Sequence, residues 1–210
     1  MTTLLHIESS PRKGRSASLG VANAYIDAYR AKNPDHTVDV LDLWSLDLPE
    51  FDGIALDAKY AEMSNTPLNE AQRKAWGSIR QLAQRLHDAD TLVFSVPLWN
   101  FSIPYKLKHF IDVVSQGGIL FAVNEHGISG LLKNKKAVVV YARGLDFSMG
   151  SSTPAHSFDF QRPYMEAWLR FVGVTDVESV VVEKTLFGPE VDHAVRQAAR
   201  DQAVALVAAR

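Results

Sequence analysis

The sequence predicts a doubly wound α/β fold, a five-stranded parallel sheet with helices on both faces. Three observations carry this expectation. Short apolar runs of strand length recur at 3–7, 37–43, 91–96, 137–142 and 177–182. Segments with helical periodicity lie between them. The runs VVVY and TLVFSV are almost unbroken apolar stretches rather than alternating ones, as expected of strands covered on both sides.

The first strand, TLLHI, is followed by a helix with Ala22, Tyr25, Ile26 and Tyr29 at i, i+3, i+4, i+7. After the second strand, TVDVLDL, comes a long connection over 44–69 and then a helix marked by Ile79, Leu82, Ala83 and Leu86. The third strand leads into a helix bearing Leu107, Phe110, Ile111 and Val114, and a second long connection spans 115–135. Helices over 163–172 and 190–208 flank the last strand. Strand and helix thus alternate throughout, and right-handed crossovers place helices on both faces. Five strands fit the order 2-1-3-4-5 better than a six-stranded dinucleotide fold. No repeat or interdomain linker is evident, so one domain over 1–210 is expected. The two long connections are candidates for lids or binding loops.

Composition narrows the function. The 210 residues carry 22 Lys and Arg against 24 Asp and Glu, for a net charge of -2. The signs are well mixed, with no basic tract for nucleic acid or an anionic membrane. With no cysteine, zinc–thiolate sites, iron–sulfur clusters and cysteine nucleophiles are excluded. The seven histidines show no H-x-x-x-H spacing, so no metal site is expected. His109 and Asp112 read as packing or surface residues. No export signal or transmembrane run is present, and a cytoplasmic protein is expected.

In a sheet of this kind, ligands bind beyond the carboxyl ends of the strands. The first strand runs into SSPRKGRSAS at 9–18, where Ser10, Ser16 and Ser18 supply hydroxyls and a helix beginning there presents free backbone N–H groups. This arrangement suits a terminal phosphate. The competing reading makes Ser16 or Ser18 a helix cap only, and Arg12 to Arg15 a solvated turn. Neither G-x-x-x-x-G-K-[ST] nor G-x-G-x-x-G occurs in the loop, which favours a mononucleotide over a nucleotide hydrolase or a dinucleotide. The third strand ends in VPLWNFSIPYKLKHFIDVV at 96–114, whose Trp99, Asn100 and Phe101 would suit a flat heteroaromatic ring, or would simply plug the sheet end. The fourth strand ends at Arg143 and Gly144, where a glycine permits close backbone approach to a ligand or merely a turn.

At these three loops the sequence resembles the FMN-dependent NADH:azoreductases, which also act as quinone reductases and have the flavodoxin-like fold. The likeness rests on the spacing of Ser10, Ser16 and Ser18, on PLWNFSIPYKLKHFID and on ARG at 142–144. It extends to GGILF at 117–121, FVGVTDV at 171–177 and GPE at 188–190, and so covers essentially the whole chain. The resemblance implies that Ser10, Ser16, Ala17 and Ser18 hold the FMN phosphate. It also implies that Leu98, Trp99, Asn100 and Phe101 lie against the isoalloxazine, and that Ala142, Arg143, Gly144 and Leu145 approach the ring from the fourth strand. Trp99, Ala142 and Leu145 stand where the family commonly has tyrosine, serine and glycine, which bears on ring hydrogen bonding and substrate fit rather than on the cofactor.

The implied activity is two-electron transfer from NADH or NADPH to a quinone or an azo compound by a ping-pong route, with no protein nucleophile. The family typically forms homodimers with the active site near the subunit interface. Phe121 and Trp168 are candidates for an apolar cleft wall, with ordinary packing as the alternative. Competing functions are a flavin-dependent reductase of another acceptor, such as a nitroaromatic, and a flavodoxin-like electron carrier. The carrier would be expected to show a strongly acidic docking face.

Overall fold

The computed structural model describes residues 2–209. In chain order the elements are β1 (Thr3–Glu8), a 3₁₀ turn (Lys13–Arg15), α1 (Ala17–Lys32), β2 (Thr37–Asp42), α2 (Gly53–Met63), α3 (Glu70–Asp88), β3 (Thr91–Pro97) and α4 (Tyr105–Val114). There follow β4 (Phe121–Asn124), β5 (Gly127–Gly130), β6 (Lys136–Ala142), α5 (Ala155–Phe158), α6 (Gln161–Val172), β7 (Asp176–Val182) and α7 (Pro189–Ala208).

The main sheet has the order β2-β1-β3-β6-β7, with every pair parallel. Setting aside the small hairpin β4–β5, this is the expected order 2-1-3-4-5. All five expected strands are present, with ends that differ from the apolar runs by a residue or so. Period-two geometry sorts their side chains even where no polar residue marks the alternation. Leu5 and Ile7, Leu92 and Phe94, and Val139 and Tyr141 face one core. Leu4, Val93, Val138 and Val140 face the other.

The two cores have different helical covers. α3, α4 and α6 close the first with Ile79, Leu82, Leu107, Phe110, Met165 and Leu169. α1 and α7 close the second with Val21, Ala22, Tyr25, Ala199 and Ala203. Each helix contributes one apolar stripe, so burial of these side chains drives the layering. Among the described residues no helix is long and apolar enough to cross a membrane.

Both long connections contain structure that periodicity did not reveal. The first holds α2, capped by Asp52 accepting from the Ala55 amide at 3.1 Å, and α2 packs through Ala55 and Ala58. The second holds the antiparallel hairpin β4–β5, with Phe121 opposite Gly130. The hairpin is docked on the end of α6, where the Leu132 amide donates to Val172 O at 2.8 Å. There Gly130 meets Gly173 so closely that a Cβ on Gly130 would lie 2.1 Å from the Gly173 nitrogen, which leaves no room for any side chain.

Candidate functional site

The β1 loop separates its hydroxyls from its cations. Ser10, Ser16 and Ser18 are buried, whereas Arg12, Lys13 and Arg15 are exposed. Ser16 caps α1: its Oγ accepts from the Leu19 amide at 3.4 Å and lies 3.1 Å from Ser18 Oγ. The amides of Ala17 and Ser18 have no acceptor earlier in the helix, so they and the hydroxyls form a donor-rich cluster at the positive end of α1. Ser10 Oγ accepts from the Arg12 amide at 3.4 Å.

Lys13 belongs to the walls of this loop. It takes a left-handed backbone conformation (φ 48°) and pairs with Glu8 at 3.0 Å and with Asp42. Burial would lower the Lys13 ammonium, but its bonds to Asp42 and Glu8 outweigh that and raise it. The Asp42 carboxyl is held below its usual range, because the bonds from Lys13, Ser45 and the Trp44 amide overcome the opposing effect of burial. Beneath the loop, buried His6 stands 3.2 Å from Ser95 Oγ. Burial, helped by the charges of Lys13 and Arg30, lowers its pKa to about 4. The ring is therefore neutral at neutral pH, and its 3.8 Å approach to Glu8 is not an ion pair there.

The β3 loop is a tight two-residue hairpin. Trp99 and Ser102 exchange backbone hydrogen bonds at 2.9 and 3.0 Å, and the central residues Asn100 and Phe101 both have positive φ, 47° and 70°. Such turns normally take Asn-Gly. Phe101 occupies the glycine position, and a left-handed non-glycine residue costs about 1–3 kcal/mol unless its surroundings hold it. Its carbonyl accepts from the Phe160 amide at 2.9 Å and its ring lies 5.2 Å from that of Phe158. The ring itself remains 40% exposed. Leu98 is fixed by its amide, which donates to Ala142 O at 2.8 Å.

Trp44, just beyond β2, is a site residue that periodicity did not single out. Its indole N–H donates to Ser9 O at 3.0 Å, and its ring lies 5.7 Å from Trp99 and 5.4 Å from Tyr105. It therefore braces the β1 loop against the β3 loop. An aromatic residue directly after a strand's carboxyl end is the signal that could have found it.

At the end of β6, Ala142 is buried and Leu145 is 41% exposed. Arg143 is 4% exposed and each of its three guanidinium nitrogens donates a hydrogen bond. It donates to Asp159 at 2.5 Å, to Glu183 at 2.9 Å and to Gln161 Oε1 at 3.2 Å, and it lies over Phe147. The Gly144 hydrogen faces Leu186, since a Cβ there would fall 2.6 Å from that side chain. Asp159, Gln161 and Leu186 are also partners that the sequence did not reveal.

A groove of about 1060 Å³ opens beside the β3 turn, between Trp99, Asn100, Tyr105, His109, Gln116 and Tyr164. His109 Nε2 donates to Pro49 O at 2.9 Å beside this groove, and Asp112 pairs with Lys108 at the surface. Trp168 is buried edge-on against Phe94, with its indole N–H on Ser115 Oγ at 2.9 Å. Phe121 is half-buried in β4, its ring 4.8 Å from Phe171.

Comparisons with known proteins agree with this fold. The flavodoxin-like fold family matches residues 2–207. FMN-dependent NADH:quinone oxidoreductase 3 of Pseudomonas fluorescens is 60% identical over 98% of this chain and 96% of its own length. FMN-dependent NADH:quinone oxidoreductase 9 of Burkholderia lata is 58% identical over 90% of each chain. The crystal structure of an azoreductase from Bacillus anthracis superimposes with a TM-score of 0.89 at 27% identity, covering 99% of both chains. The chain belongs to the flavodoxin-like fold family, in the branch that holds the FMN-dependent NADH:quinone oxidoreductases.

Proposed function

We propose that this chain, as a single domain over residues 1–210, is an FMN-dependent NADH:quinone oxidoreductase that also cleaves aromatic azo compounds to amines. The observation that carries the proposal is that three loops follow the carboxyl ends of the three central strands of the sheet. Buried hydroxyls and a helix N-terminus follow β1, an aromatic turn follows β3, and a close-packed backbone follows β6, all on adjacent strands. The donor set fits FMN, because hydroxyls and helix amides suit a terminal phosphate and the half-buried Trp99 suits a flat ring. When bound, FMN would supply two-electron hydride-transfer chemistry between NADH and the acceptor.

The chain's own residues bind and orient. Ser10, Ser16, Ser18 and the Ala17 amide hold the phosphate. Leu98, Trp99, Asn100 and Phe101 form one border of the ring site, with the Asn100 amide available to its polar edge, and Ala142, Gly144 and Leu145 form another. Arg143 acts from behind through its buried ion pairs. The exposed Phe101 and Leu145 side chains make an apolar mouth that receives the flat donor and the flat acceptor in turn. Because both use the same space, the donor must leave before the acceptor enters. Initial-rate measurements with NADH and a benzoquinone should therefore give parallel double-reciprocal lines, and intersecting lines would count against a shared site.

The groove beside the β3 turn is where we place a second copy of the chain, so that the active site lies near a subunit interface in a cytoplasmic homodimer. Sedimentation velocity should return about twice the mass of the 23.3 kDa chain. Phe121 is assigned to the cleft wall, and Trp168 to the packing beneath it. Phe121→Ala should change the KM for quinone while leaving FMN content intact.

A further inference from the structure

We propose that Gln161 is a positioning residue, acting with Arg143 and Asp159 to set the backbone of the Asn100–Phe101 turn against which the flavin lies. The proposal rests on the FMN reading above, but its first test does not.

Gln161 is wholly buried at the start of α6. Its side-chain amide joins two strand ends: Nε2 donates to Val96 O at 2.9 Å, at the end of β3, and Oε1 accepts from Arg143 Nε at 3.2 Å, beyond β6. Asp159 completes the unit. One carboxylate oxygen holds Arg143 at 2.5 Å, and the other accepts from the amides of Gln161 and Arg162, both at 3.0 Å. Phe160 lies between these two anchored residues. Its amide is thereby aimed at Phe101 O, 2.9 Å away.

This arrangement accounts for the unfavourable backbone of Phe101. A bulky residue persists at φ 70° only where neighbouring structure fixes it. The Phe160 amide supplies that fixing bond, and the buried trio fixes Phe160. A fully satisfied buried polar network is also the rigid kind. The turn is thus held in shape before any ligand arrives, which lowers the ordering cost of binding.

The experiment compares Gln161→Met, which keeps the volume but neither hydrogen bond, with Val172→Ala, a core truncation at the far end of the same helix. Amide hydrogen exchange is first measured in the protein freed of FMN. In Gln161→Met the Phe160 and Ser102 amides should exchange at least about tenfold faster, while in Val172→Ala only globally protected amides should change. FMN titration should then give a Kd raised about tenfold for Gln161→Met and within about twofold of the parent for Val172→Ala.

Should Gln161→Met fail to fold, Phe160 offers the same test at an exposed side chain. Phe160→Ala keeps the amide and Phe160→Pro removes it, so only the proline variant should weaken FMN binding by about tenfold. Unchanged exchange and FMN affinity in Gln161→Met, or equal affinities for the alanine and proline variants, would overturn the proposal. If the parent protein bound no FMN, the FMN reading would fail, while the exchange comparison would still decide whether Gln161 sets the turn.

Discussion

The loops after β1 and β6 use the same residue types in opposite ways. In the first, four serines (Ser9, Ser10, Ser16 and Ser18) are buried and three cations lie at the surface. In the second, a single cation is buried in ion pairs, while Leu145, Met149 and Phe160 are exposed. The contrast follows from what each loop must satisfy. The β1 loop opens onto a helix N-terminus, whose free amides favour negative charge, while its own cations can remain in water. The β6 loop must hold a long irregular segment together, and Arg143 does so with several bonds from one rigid fork. An arginine at a strand's carboxyl end is therefore not evidence of ligand contact by itself.

The largest effect expected from this contrast is at Arg143. Arg143→Ala leaves Asp159 and Glu183 without their cation, which should cost about 3–5 kcal/mol. Urea melts should show it, and for a chain of this size each kcal/mol lowers Tm by roughly 2–4 °C. A loss no larger than that of a surface cation would erase the distinction between the two loops.

Next comes the pH dependence rooted under the β1 loop. His6 titrates near 4 in the folded protein and near 6.5 when unfolded. Between those values the unfolded chain binds the additional proton, so stability is fully present above about pH 6.5 and falls as pH drops toward 4, by about 3 kcal/mol. Comparing melts at pH 7 and 4.5 for the parent and His6→Gln should show that the substitution removes most of this slope.

Ser16→Ala should be smaller in stability, about 1 kcal/mol for a lost N-cap, but should also raise the FMN Kd by about tenfold, as a fluorescence titration would show. The smallest effect is at Lys13, which is half exposed. Lys13→Gln should change stability by less than about 1 kcal/mol, with the difference shrinking in salt, and should leave FMN affinity within about threefold. A large loss of FMN affinity in Lys13→Gln would mean that the surface cations, not the buried hydroxyls, hold the phosphate.

How much of this was legible in the sequence depended on the range of the interaction. The five strands and the helix stripes are local patterns, and they were read to within a residue or so. The serine spacing and the aromatic segment after β3 are also local, and they located two of the three loops. The hairpin β4–β5 was not visible because its four-residue strands are mostly exposed and carry no alternation. α2 was missed because only Ala55 and Ala58 are buried along it. The trio of Arg143, Asp159 and Gln161 joins residues up to 18 apart, and it reaches Val96 from 65 residues away. No periodicity connects such positions. Only packing α6 against the ends of β3 and β6 brings them together.

The most direct test of the central claim, that the three loops hold FMN and expose it to NADH, is an absorbance spectrum. The purified protein is mixed with FMN, desalted, and then treated anaerobically with NADH followed by a quinone. Flavin bands that survive desalting, bleach with NADH and return with quinone are the expected result. Loss of the bands on desalting would contradict the phosphate site, and retained bands that NADH leaves unbleached would contradict the reductase.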